Sequence, residues 1–144
     1  MPMNFDALKQ FMETGIPFNR VLGIQLVLLE KGHARLQIPF RDELVGDPFR
    51  PALHGGVLSA LADTAGGAAV WSSVDDLRPR VSTIDLRVDY LRPARLETVV
   101  ADARVVRMGN RVGVVDVRLF HPSNEDETFA TCKAVYNVSP AKKT

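Results

Sequence analysis

One stretch limits what this chain can fold into: residues 53–69, Leu-His-Gly-Gly-Val-Leu-Ser-Ala-Leu-Ala-Asp-Thr-Ala-Gly-Gly-Ala-Ala. From Val57 to Val70 it carries a single charge, Asp63, and no proline. Val57, Leu58, Leu61, Ala62, Ala65, Ala68 and Ala69 recur at helical spacing, and the remaining positions are Ser, Thr, Gly and Ala. A helix apolar nearly all round belongs inside a fold rather than on its surface. It is too short and too glycine-rich to span a membrane. Asp63 is therefore an expensive residue unless its carboxylate is hydrogen-bonded or has a task. Gly55 and Gly56 stand where the first helical amides are free to meet an oxygen, and the aligned peptide dipoles favour negative charge there.

The rest of the chain supplies what wraps such a helix. Asn4 to Thr14 predicts a short amphipathic helix (4–14), with Phe5, Leu8, Phe11 and Met12 on one face and Asn4 as cap. Gly15 and Pro17 end it, and Phe18–Gly23 reads as a link. Ile24–Leu29 and the alternating His33–Phe40 make a hairpin across Glu30-Lys31-Gly32, and Arg41–Pro51 reads as a loop. After the helix and a polar connection, Ser72–Pro79, four strands are expected over Arg80–Leu91, Leu96–Val106, Arg111–Phe120 and Thr128–Val138, with Ser139–Thr144 as a loose tail. This order implies one α+β domain over residues 1–144, an antiparallel sheet of about six strands wrapped around one central apolar helix. The outer sheet face, with Val, Leu and Arg, is expected to be covered in a homodimer or a dimer of dimers.

Bulk properties exclude several classes. A net charge of +1 gives no basic stripe for nucleic acid. His33, His54, His121 and the lone Cys132 show no metal-ligand spacing. A soluble cytoplasmic protein without signal peptide or membrane span is the expectation. Neither a glycine-rich phosphate loop nor a Gly-x-Ser-x-Gly elbow is present.

The candidate residues each have a plain and a chemical reading. Asp63 is either a helix carboxylate at an interface or a general base or nucleophile. Gly55 and Gly56 either permit close packing or present an oxyanion-binding amide. His54 holds the loop or positions a carbonyl or a water. Thr83 is a sheet residue or orients a water or substrate beside the acid. Trp71 is core or pocket lining. Arg107 and Arg111 flank the turn at Gly109, as Arg78 and Arg80 flank Pro79, and are either a solvated face or contacts for phosphates.

His54-Gly55-Gly56, Asp63 eight residues beyond Gly55, and the segment Val81-Ser82-Thr83-Ile84-Asp85-Leu86-Arg87-Val88-Asp89-Tyr90-Leu91-Arg92-Pro93-Ala94 resemble the hotdog-fold thioesterases, in particular their phenylacetate-pathway (PaaI-like) branch. The resemblance runs over about residues 20–138. It implies a central helix wrapped by an antiparallel sheet, dimers that pair into tetramers, and active sites at the dimer interface. It implies an acyl-CoA thioester substrate, with no cofactor beyond the coenzyme A of the substrate itself. Asp63 matches the catalytic carboxylate, Gly55 the glycine whose amide polarises the thioester carbonyl, His54 the motif histidine, and Thr83 the Ser or Thr that orients water or substrate. Gly56, Asp47, Phe49, Trp71, Arg107 and Arg111 are the expected substrate contacts. The chain departs from the pattern at Pro48, where relatives often carry Asn or Gln; the corresponding contact is then absent or made by Asp47. Water activation and a transient anhydride stay open, as do two other readings: an acyl-CoA binder without turnover, and a dehydratase or hydratase built on a His–acid pair.

Overall fold

The computed structural model describes residues 4–75 and 80–139. Arg78, Pro79 and the tail beyond Ser139 lie outside the described residues. The first helix is shorter than expected. α1 (Phe5–Gln10) starts at Asn4, whose Oδ1 accepts the amides of Asp6 at 3.0 Å and Ala7 at 3.4 Å. It widens into a π-type turn over Phe11–Gly15. The expected link at Phe18–Gly23 is instead a second helix, α2 (Pro17–Leu22). Pro17 both stops one helix and starts the next, because its fixed φ suits a first turn. Gly23 then closes α2 at φ 75°, a left-handed conformation that favours glycine.

β1 (Gln25–Glu30) and β2 (His33–Ile38) form the expected hairpin, turning at Gly32 with φ 77°. The segment read as a loop contains a short 3-10 turn at Asp42–Leu44 and β3 (Val45–Asp47), which pairs with β4 (Ala52–Leu53) as a small ribbon. The apolar stretch is one unbroken helix, α3 (Gly55–Ser72), buried over most of its surface but not along the face of Asp63, Thr64, Gly67 and Trp71. β5 (Arg80–Tyr90), β6 (Val99–Met108), β7 (Val112–Phe120) and β8 (Ala130–Ser139) follow. Residues 96–98, read as the start of a strand, precede β6, and Ser139, read as tail, completes β8.

Six strands make one sheet in the order β1-β2-β6-β7-β8-β5, each neighbouring pair antiparallel. Its inner face packs on α3 through fully buried Leu36, Val99, Leu119 and Tyr136, among others. The α+β architecture expected from the sequence, six strands around one apolar helix, is thus borne out. The outer face carries hydrogen-bonded and paired charges. Asp102, 4% exposed, accepts hydrogen bonds from His33 at 2.8 Å and Arg35 at 2.9 Å, and Lys133 pairs with Asp116 at 2.9 Å. Burial pushes the Asp102 carboxyl up, but the hydrogen bonds from His33 and Arg35, together with their charge interactions, hold the group below the ordinary carboxylate value.

β5 lies at one edge of the sheet and contains a bulge between Thr83 and Asp85. The extra residue reverses which side chains point inward. Val81 and Thr83 face the helix side before the bulge; Leu86, Val88 and Tyr90 do so after it, while Asp85, Arg87 and Asp89 border the outer face.

Candidate active site

The site is built on one face of α3. Gly55, Ser59, Asp63, Gly67 and Trp71 recur every fourth residue, so they form a single stripe along the helix. At its start, His54 is the cap. Its Nδ1 accepts the Gly56 amide at 2.8 Å and its carbonyl accepts the Val57 amide at 3.0 Å. Those bonds take two of the four amides that a helix start leaves without an internal acceptor, and neither involves the Gly55 N–H. Gly46 makes this corner possible, since a Cβ there would lie 2.5 Å from the His54 Cα. Tyr90 Oη donates to the Gly55 carbonyl at 2.9 Å and also meets Ser59 Oγ.

Two turns further along, Asp63 stands half-buried. Thr83 Oγ1 donates to its Oδ1 at 2.7 Å. Tyr136 Oη donates to the Asp63 carbonyl at 2.7 Å and lies 3.2 Å from the same Oδ1. Tyr136 is 1% exposed, and burial, reinforced by the Asp63 charge, pushes its phenol well above the ordinary value, so it stays a donor. Thr83 and Tyr136 are direct cross-strand partners on β5 and β8, which fixes both hydroxyls over the same carboxylate.

Beside Asp63 opens a cavity of about 410 Å³. Asp63, Thr83 and Tyr136 form its polar end; Gly67, Ala68, Trp71, Val81, Leu29 and residues of the N-terminal helices give the apolar remainder. A larger concavity, about 830 Å³, lies on the outer sheet face among alternating acids and bases and contains none of the candidate residues.

The structure brings Asp63, Thr83 and Trp71 together, and puts His54, Gly55 and Gly56 at the far end of the same stripe. Asp47 Oδ1 accepts the amides of Phe49 at 2.9 Å and Arg50 at 3.0 Å, folding the turn around Pro48. Phe49 is 93% exposed and is not in the cavity wall. Arg107 and Arg111 are exposed at the β6–β7 turn, outside the cavity lining. Among the described residues no group of His, Cys, Asp and Glu could hold a metal ion. His33 is occupied by Asp102, and His121 bonds the Thr98 carbonyl and the Arg95 amide, so neither faces Asp63 as a dehydratase base would.

Sequence reasoning missed Ser59 and Tyr136, and gave Tyr90 no role of its own. Ser59 was legible, being four residues from both Gly55 and Asp63. Tyr136 was not, because its place depends on the β5–β8 register.

A curled antiparallel sheet around one helix that begins at His-Gly-Gly is the hotdog arrangement. The family model described as "Thioesterase superfamily" matches residues 51–128. The medium/long-chain acyl-CoA thioesterase YigI of Escherichia coli is 40% identical over 136 residues, spanning 85% of this chain and 86% of that protein. A crystal structure of a Haemophilus influenzae thioesterase superposes with a TM-score of 0.84 at 22% identity, over 99% of this chain and 95% of the other, which speaks for the fold alone. A Shewanella oneidensis protein related to the thioesterase superfamily gives 0.81 at 28% identity, over 93% and 94%. The chain belongs to the thioesterase superfamily.

Proposed function

We propose that this protein hydrolyses medium- and long-chain acyl-CoA thioesters in a site shared between two copies of the chain. The observation that carries the reading is Asp63: the one charge on the central helix, held by Thr83 and Tyr136 at the polar head of an apolar cavity. The relative YigI is named for medium- and long-chain acyl groups rather than phenylacetate, and an apolar cavity of about 410 Å³ suits an alkyl chain.

In this reading the thioester carbonyl oxygen lies against the Gly55 N–H. That amide, with the helix dipole behind it, stabilises the charge that develops on the oxygen. The Asp63 carboxylate either draws a proton from a water that attacks the carbonyl carbon, or attacks it directly to form an anhydride that water then opens. In both routes the C–S bond breaks, coenzyme A leaves as the thiolate and a carboxylic acid remains.

Geometry argues for two copies. Gly55 and Asp63 are eight residues apart on one straight helix, about 12 Å at 1.5 Å per residue, too far to serve one carbonyl from the same chain. β5 is an edge strand with Ile84 57% and Tyr90 51% exposed, and it joins the two ends of the site. A partner laid antiparallel along that edge carries its own Gly55 toward Asp63, and continues the sheet.

The test uses inactive subunits. Asp63→Asn and Gly55→Pro homo-oligomers are each expected to lose thiol release from a panel of acyl-CoAs while staying folded. Mixed subunits recover activity, because each heterodimer has one site with both groups intact. Full turnover by Asp63→Asn removes the catalytic assignment; inactive heterodimers remove the sharing.

A further inference from the structure

Leu8, Phe11, Met12 and Ile16 line the cavity from the N-terminal helices, outside the span matched by the family model. This wall is held from several directions. The Asn19 side chain, on a residue only 4% exposed, donates to the Met12 carbonyl at 2.9 Å. Lys9 pairs with Glu13 at 2.6 Å and reaches the Leu26 carbonyl of β1 at 3.4 Å, beside the β1 bulge. Gly15 gives Phe11 its place: a Cβ at Gly15 would come within 2.8 Å of the Phe11 ring. Opposite this wall, Asp63, Gly67 and Trp71 run for eight residues along α3, about 12 Å from the polar head to the indole. That is the reach of an extended medium-length acyl chain.

We propose that the N-terminal wall sets the acyl chain length the site accepts, with Phe11 and Met12 as specificity-determining residues and Asn19 as the positioning residue that fixes Met12. The proposal rests on the thioesterase reading for its substrate but not for its geometry. A chain whose carbonyl sits at Asp63 runs along the α3 stripe and ends among Phe11, Met12 and Trp71. Chains that fill the space gain contact with each methylene. Longer ones must displace the Phe11 ring, which is 56% exposed and free to be pushed aside only at the loss of its packing on Gly15.

The test compares wild type with Phe11→Ala, Asn19→Ala and, as control on the same helix but outside the cavity lining, Phe5→Ala. The ratio of kcat/KM for palmitoyl-CoA over octanoyl-CoA is expected to rise about tenfold in Phe11→Ala, the scale on which apolar pockets discriminate chain length, with KM moving more than kcat. Asn19→Ala shifts the ratio in the same direction and Phe5→Ala leaves it unchanged. Non-hydrolysable thioether analogues of both lengths, titrated by calorimetry, read the same preference without turnover. An unchanged ratio and unchanged analogue preference in Phe11→Ala overturn the proposal. If wild type cleaves no thioester, the thioesterase reading fails. The selector then stands if the analogues bind in a length-dependent way that Phe11→Ala abolishes, and falls if they do not.

Discussion

Thr83 Oγ1 donates to Asp63 Oδ1 at 2.7 Å, immediately before the β5 bulge at Ile84. In a regular strand, Thr83 and Tyr90 would point to opposite faces, since seven positions separate them. The bulge turns both toward α3, one hydroxyl to the acid and the other to the helix start. Both donors to the Asp63 carboxylate fall on Oδ1. Thr83→Val is expected to lower kcat/KM by about tenfold, the worth of one hydrogen bond to a charged group. Tyr136→Phe is expected to weaken folding by about 1 kcal/mol as well, because the lost phenol also serves the Asp63 carbonyl. Thiol-release kinetics and urea unfolding separate the two effects.

Gly55→Pro removes one N–H and little else. Position 55 is the first residue of α3, where proline is well tolerated. His54 before it has φ −63° and ψ 129°, the extended conformation a following proline requires. A Cβ at 55 meets the Tyr90 ring at 3.4 Å, an ordinary contact. The variant is expected to keep its circular dichroism spectrum and melting midpoint while kcat falls by about 10²–10³-fold, the range for losing one oxyanion donor.

Adjacent glycines on α3 should respond in opposite ways. A Cβ at Gly66 would fall on the Tyr136 hydroxyl, with the ring carbons 3.0 and 3.1 Å away. At Gly67 the nearest atom is 3.5 Å distant. Gly66→Ala is expected to destabilise by about 1–3 kcal/mol through overpacking. Gly67→Ala is expected to be neutral or stabilising by up to about 1 kcal/mol, since alanine is the better helix former. Urea denaturation midpoints decide between them.

Cys132 is 4% exposed, and burial, with the charges of Asp63, Asp116 and Asp89 behind it, raises its thiol to about 12. The native protein should resist thiol reagents at neutral pH and react once unfolded, because the thiolate is the nucleophile. A raised folded value means that the unfolded chain ionises first. The stabilising contribution is therefore complete below the ordinary thiol value of 9.0 and is lost as pH climbs toward about 12. Cys132→Ala is expected to flatten that part of the alkaline stability profile, measured by chemical denaturation at stepped pH.

The chain itself determined the central helix, the hairpin and the four later strands, and marked Asp63, Gly55 and His54 as candidates, because periodicity, glycine placement and an isolated charge are local signals. It marked the end of the first helix at Pro17 but not the start of α2 there, since a proline that ends one helix and begins another reads the same either way. Tertiary structure alone decided which hydroxyls reach the acid. Tyr136 comes to Asp63 across 73 residues of chain, through the β5–β8 register and a bulge that sequence alternation does not show. It decided as well that Asp47 Oδ1 accepts the amides of its own turn and that the first helices line the cavity beside Asp63. Local preference is written residue by residue, whereas register and packing are settled by contacts between segments far apart in the chain, where one added residue turns every following side chain to the other face.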